Sequence, residues 1–199
     1  MNGRKNFVKY GKLINAISKF YGLLPKKFRK KRLKALAYKV GLLAMFERYL
    51  LIKTLAKRCG ENVSVFENVF FEHIENLSIG SNVSIHQMCY IDAEGEIVIG
   101  DNVSIAHRTT ILSSNHGYER TDIPIKYQDM KLDKTLIEEN VWIGCGVTIL
   151  AGVIINSGCV IGSNSTVTKE IPINSIAVGT PCKIIKNRTC TMKTHSHKT

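Results

Sequence analysis

Residues 137–178 read IEENVWIGCGVTILAGVIINSGCVIGSNSTVTKEIPINSIAV, and a step of six from Ile137 lands on Ile143, Ile149, Ile155, Ile161, Val167 and Ile173. Four residues beyond each landing stands another small or apolar side chain: Val141, Val147, Val153, Cys159, Ser165, Ile171 and Ala177. Neither a helical period nor plain alternation produces a strict six. One short strand followed by one bend does, with the aliphatic residue turned inward and the polar residues between facing water. Three such bends close a triangular coil in which residues about 18 apart stack, so Val141, Cys159 and Ala177 are expected to form one column. Hexapeptide periods read as a parallel β-helix.

The ladder extends backwards. Related copies begin at Gly60 (GENVSV), Gly80 (GSNVSI) and Gly100 (GDNVSI). These copies are 20 apart, which implies a coil with two extra residues at one corner. Gly and Asn suit the bends because both tolerate positive φ. Residues 141–168 carry no charge, yet their repeated Gly and Asn argue for stacked coils rather than a membrane helix.

At 199 residues, one folded domain with an appendage is expected. The net charge of +12 divides unevenly. Residues 1–58 hold 17 Lys and Arg against the single acid Glu47, whereas residues 59–199 hold 11 against 15. The basicity therefore belongs to an N-terminal arm and not to the repeat body. The six cysteines show no paired spacing, so reduced thiols in a cytoplasmic protein are expected.

The arm reads as two or three short helices, broken at Pro25 and carrying the run Lys26 to Arg32. No uncharged run in it approaches the roughly 20 residues of a membrane span, and lysines interrupt any signal-peptide core. A basic amphipathic arm fits an anionic membrane surface. It fits nucleic acid less well, since no aromatic and basic binding module accompanies it. Leu36, Val40, Leu43, Phe46, Leu50 and Leu51 are alternatively expected to cap the open end of the first coil. The frame is lost after His116 and returns at Ile137, so residues 117–136, with Pro124 and many charges, should leave the coil as a functional loop. Residues 189–199 are expected to be a flexible tail.

Several local motifs sit on this frame: Ser113-Ser114-Asn115-His116-Gly117, Asn140-Val141-Trp142-Ile143-Gly144, Thr168-Lys169-Glu170-Ile171-Pro172 and Gly179-Thr180-Pro181-Cys182. On these the chain resembles the hexapeptide-repeat acyltransferases, in particular the branch acting on sugars and capsular polysaccharides, from about Cys59 to Arg188. The resemblance implies a mainly β fold, a left-handed parallel β-helix behind an N-terminal basic helical segment. Periodicity by itself does not give the hand. The resemblance also implies a homotrimer with acetyl-CoA, the acyl donor, lying between subunits.

Acetyl transfer from a thioester to a hydroxyl needs a base, a donor for the transient oxyanion and a groove for a long coenzyme. Imidazole suits the first task, its ordinary pKa of about 6.5 lying near working pH. Of six histidines, His116 stands where the ladder gives way to the loop, after small polar residues. The resemblance assigns it the role of general base. His73, His86 and His107 read as structural. By the same resemblance Trp142 packs beside the pantetheine arm, with Gly144, Cys145, Gly162 and Ser163 along the coil beneath it. Thr168 and Lys169 fall near the adenine end, where Lys183 and Lys186 stand in place of the family's arginines and lose the bidentate fork. No Ser or Cys has a base beside it in these motifs, which argues against an acyl-enzyme.

For the acceptor, Asp92 and Glu94 lie one coil before His116, and Asn115 and Tyr118 flank it. Met88 stands where galactoside-type relatives carry asparagine, which weakens a free disaccharide as acceptor. The three-histidine zinc site of γ-class carbonic anhydrases, which share the fold, is not matched, because His107 and His116 are nine apart and His86 occupies a different place in its hexad. No metal is expected. The reading is thus an acetyl-CoA-dependent O-acetyltransferase of a sugar in a cell-surface polysaccharide or its precursor, held near the inner face of the plasma membrane. Alternatives are acetylation of a free sugar, serine or an antibiotic, or a non-catalytic β-helix scaffold.

Overall fold

The computed structural model describes residues 3–188; the expected tail, with Cys190, His195 and His197, lies outside the described residues. Three helices come first: α1 (Gly3–Leu23), α2 (Lys26–Leu36) and α3 (Leu42–Leu55). Pro25 separates the first two, and its carbonyl accepts the first helical bond from the Arg29 amide at 3.1 Å. The remainder is a parallel β-solenoid with three faces. The first face stacks residues 58–59, 77–79, 97–99, 135–137 and 154–155; the second stacks 64–65, 84–85, 104–105, 142–143, 160–161 and 175–178; the third stacks 70–72, 90–92, 110–112, 148–149 and 166–167. The short strand Lys183–Asn187 turns back antiparallel on Ser175–Val178 and closes that end.

The inward columns follow the register. Ile79, Ile99, Ile137 and Ile155 stack on the first face, Ile85, Ile105, Ile143 and Ile161 on the second, and Ile91, Ile111, Ile149 and Val167 on the third. All are buried. Asn62, Asn82 and Asn102 turn one corner at positive φ and hydrogen-bond to one another at 3.0 and 3.2 Å. Gly60, Gly80 and Gly100 do not share that conformation. At Gly80 a Cβ would meet the Gly100 carbonyl carbon at 2.6 Å, so close coil stacking is what demands glycine there.

Every departure from the six-residue step falls on one edge, between the third face and the first, here called the return edge. The step across it is eight from Phe71 to Ile79 and from Ile91 to Ile99, six from Ile149 to Ile155, and four from Val167 to Ile171. This shortened last turn corrects two expectations. Ile173 falls out of the ladder and is 62% exposed, and Ala177 stacks on Ile161 rather than on Cys159.

The arm closes the first coil. Helices α1 and α2 pack on α3, and α3 lies across the strands at 58–59 and 64–65. Leu36, Leu50 and Leu51 are buried as expected of a cap and Phe46 is half-buried, but Val40 and Leu43 face outward, Leu43 at 87% exposure. The buried Arg48 fastens this cap: its guanidinium donates to the carbonyls of Val65 (2.9 Å), Leu36 (2.9 Å) and Lys39 (2.7 Å). Among the described residues no helix is long and apolar enough to cross a membrane.

Candidate active site

The return edge is where the chain leaves the coil between Leu112 and Thr135. Two buried hydroxyls pin the exit and the re-entry. Ser113 Oγ donates to the Asp92 carbonyl at 2.8 Å and accepts from the Gly95 amide at 2.9 Å. Thr135 Oγ1 donates to the Leu112 carbonyl at 2.6 Å. The excursion is not structureless: Ser114–His116 pairs antiparallel with Met130–Leu132, His116 lying opposite Met130. The Gly117 amide continues the ladder to the Asp129 carbonyl at 3.0 Å. Salt bridges Arg120–Asp122 and Lys131–Glu119 tie the tip. His116 thus sits on an ordered hairpin, exposed, and its ring has no hydrogen-bond partner among the described residues. Asn115 is half-buried beside it, and Tyr118 points to solvent.

One coil below lie the carboxylates of Asp92 and Glu94. Asp92 is engaged by His73, whose Nδ1 lies 3.0 Å from Oδ1, and that hydrogen bond holds the His73 pKa above its ordinary value. His73 occupies the left-handed region at φ 51°. From sequence it reads as structural. Its signal was the 20-residue register, which stacks Glu72 beneath Asp92 and so puts the next residue beside that carboxylate. The ligating atoms of His73, Asp92 and Glu94 lie within 4.8 Å of one another. Within this trio His73 and Asp92 are joined by the imidazole–carboxylate hydrogen bond, and the Glu94 amide also donates to Asp92 Oδ1 at 3.3 Å.

The expected coenzyme residues divide between two edges. Trp142 lies on the second face between Ser104 and Val160, with 56% of its surface exposed. Gly144 and Cys145 turn the edge between the second and third faces, and Gly162 and Ser163 turn it in the next coil. A Cβ on Gly144 would stand 2.6 Å from the Ser163 amide nitrogen, so coil packing requires this glycine before any ligand does. Thr168 and Lys169 instead follow the third face, on the return edge shared with His116. Lys183 and Lys186 project from the closing strand. None of these three lysines has a carboxylate partner among the described residues, which leaves them open to phosphate. Across the third face the two edges are five extended residues apart, about 15 Å. Burial pushes the Cys59 thiol up to about 12 and Cys89 to about 11, and raises Cys159 and Cys182, so none of these four is a ready nucleophile.

The pattern described as bacterial transferase hexapeptide (six repeats) matches residues 134–169. Galactoside O-acetyltransferase of Escherichia coli (strain K12) is 33% identical over 145 residues, covering 70% of this chain and 68% of that protein. A second protein of that strain, named for O-acetyl transfer in lipopolysaccharide biosynthesis, is 35% identical over 133 residues, 63% of this chain and 58% of that protein. A hexapeptide-repeat acetyltransferase of Vibrio cholerae O1 biovar eltor, solved with acetyl coenzyme A, matches with a TM-score of 0.72 at 26% identity, over 81% of this chain and 86% of that one. The curated relatives are matched over between 24% and 68% of their own length.

Proposed function

Because this chain belongs to the bacterial hexapeptide-repeat transferase family, we propose that it is an acetyl-CoA-dependent O-acetyltransferase acting on a sugar hydroxyl of a cell-surface polysaccharide or its precursor. The observation that carries the reading is His116 itself, an unpartnered imidazole held on a pinned hairpin. Acetyl-CoA supplies the activated acetyl group. His116 takes the proton of the acceptor hydroxyl as its oxygen bonds to the acetyl carbon, and returns that proton to the departing thiolate. Backbone amides stabilise the charge developing on the acetyl oxygen. Trp142, Gly144, Cys145, Gly162 and Ser163 hold the pantetheine arm, while Thr168, Lys169, Lys183 and Lys186 serve its nucleotide end. Asp92, Glu94, Asn115 and Tyr118 orient the acceptor.

A homotrimer is part of this proposal, supported by the division of the site between two edges. Three copies around an axis can bring the return edge of one against the Gly144 edge of the next, with Trp142 on the face beside it; a single chain keeps these two edges about 15 Å apart. The basic arm serves as a contact for anionic membrane on the cytoplasmic side; α2 has seven basic residues and no acid. A relative named for lipopolysaccharide biosynthesis supports a surface glycan over serine or an antibiotic.

The test is His116→Ala, assayed for acceptor-dependent thiol release from acetyl-CoA over a panel of saccharides. The variant should keep the fold and assembly and lose activity by about a hundredfold or more. Unchanged release would overturn the base assignment. A double reversal, Lys27→Glu with Lys31→Glu, should abolish sedimentation with anionic vesicles at low salt; equal sedimentation would remove the membrane contact.

A further inference from the structure

A groove of about 310 Å3 opens between α2 and the outermost coil. Its floor is apolar and buried, formed by Leu33 and Ala37 from the helix side and Val69 and Ile74 from the coil. Its lip is aromatic: Tyr38 and Phe70 meet edge to face with centroids 5.8 Å apart, and remain 67% and 38% exposed. The mouth is polar, with Lys34, Glu72 and His73. Val40, Leu42 and Leu43, which follow Tyr38 in the chain, are exposed apolar residues as well.

The groove is aligned with the acetylation edge. Glu72, at its mouth, stacks beneath Asp92, and Asp92 beneath Leu112, the residue before the Ser113 anchor of the His116 hairpin. Two coil spacings, about 10 Å, separate mouth and hairpin root, a distance that a short saccharide spans. A free sugar, hydroxylated all round, has no use for an apolar slot behind this site. An acceptor that carries a hydrocarbon tail does.

The charges fit a phosphate between tail and sugar. Lys30 is held by both oxygens of Glu75 at 3.0 Å. Lys34 stands 3.8 Å from Glu72, beyond hydrogen-bond length, with its side chain 74% exposed. Lys27 and Lys31 share its face of α2 at helical spacing and have no carboxylate partner among the described residues.

We propose that the groove receives the hydrocarbon chain of a lipid-phosphate-linked saccharide, with the phosphate at Lys34 and the saccharide running past Glu72, His73 and Asp92 toward His116. This names the acceptor class of the site described above and rests on that reading of it. Burial of the chain's methylenes against Leu33, Ala37 and Val69 supplies affinity, and the lysine face selects the anionic link.

The test is calorimetric titration of the full-length protein with farnesyl phosphate, farnesol and inorganic phosphate. Saturable binding of one farnesyl phosphate per chain is expected, with the other two at least about tenfold weaker, since each offers half of the recognition. Phe70→Ser and Tyr38→Ser, both at exposed positions, should each weaken farnesyl phosphate about tenfold, and Lys34→Glu should weaken it while leaving farnesol unchanged. His116→Ala should bind as the parent does. Loss of acetyl transfer with retained binding in that variant therefore reports on the catalytic reading separately. Absence of saturable binding, affinity for inorganic phosphate equal to that for farnesyl phosphate, or indifference to both Phe70→Ser and Tyr38→Ser would each overturn the proposal.

Discussion

Ser113 and Asp92, 21 residues apart, are joined by a hydrogen bond in which the Ser113 hydroxyl donates to the Asp92 carbonyl at 2.8 Å. The same hydroxyl accepts from the Gly95 amide at 2.9 Å. The root of the His116 hairpin is therefore clamped to the coil that carries the acidic corner, and the position of the imidazole depends on a buried side chain that never meets substrate.

Ser113→Ala should leave the Asp92 carbonyl and the Gly95 amide without this partner, at a cost of about 1–3 kcal/mol. Thermal unfolding should show a lowered midpoint, and thiol-release kinetics a kcat reduced more than KM is raised, because the base is displaced rather than removed. A kcat equal to the parent's would mean that the hairpin holds its place without the clamp.

Arg48→Met keeps the volume but strips three carbonyls of their donor, at Val65, Leu36 and Lys39. Leaving buried carbonyls without a donor costs about 1–3 kcal/mol each. Limited proteolysis should then cut first between α2 and α3, whereas the repeats from the third coil onward should resist as before.

Gly144→Ala would bring a Cβ to 2.6 Å from a backbone nitrogen of the next coil, a clash that no side-chain rotation relieves. Destabilisation of about 1–3 kcal/mol is expected even without acetyl-CoA present. Gly11, whose Cβ direction is open, is the control and should tolerate alanine.

His73 has its pKa raised above the ordinary 6.5, chiefly by the Asp92 hydrogen bond. The sign follows from linkage: the contribution is complete below about pH 6.5 and is lost as pH rises through the raised folded value. Denaturant titrations of the parent and His73→Gln should differ at about pH 6 and converge by about pH 9. The difference should stay within about 1 kcal/mol, since the pair is open to solvent. A gap that widens with pH would contradict the assignment.

If the site is composed across subunits, His116→Ala and Trp142→Ala chains expressed together should recover activity that neither shows separately. Mixed assemblies would pair an intact return edge with an intact Trp142 face. Activity no higher than in either single variant would place both residues in one chain's site.

The order of the coils and the inward ladder from Ile137 to Val167 were legible in the sequence, but the frame reads as holding through His116, whereas the chain leaves the coil after Leu112 and His116 already lies on the hairpin. A hexapeptide period repeats the same local environment, so each strand announces its own inward position. The sequence singles out His116 as a candidate by placing it next to the break in that period. Other features were decided only by tertiary structure: the gathering of every irregular step on the return edge, the His73–Asp92 pair, the Arg48 clamp, the stacking demand on Gly144, and the separation of Trp142 from His116 by a whole face. Each depends on which residues are brought together from different coils or helices, and a periodic pattern states where a residue points without stating what arrives opposite it.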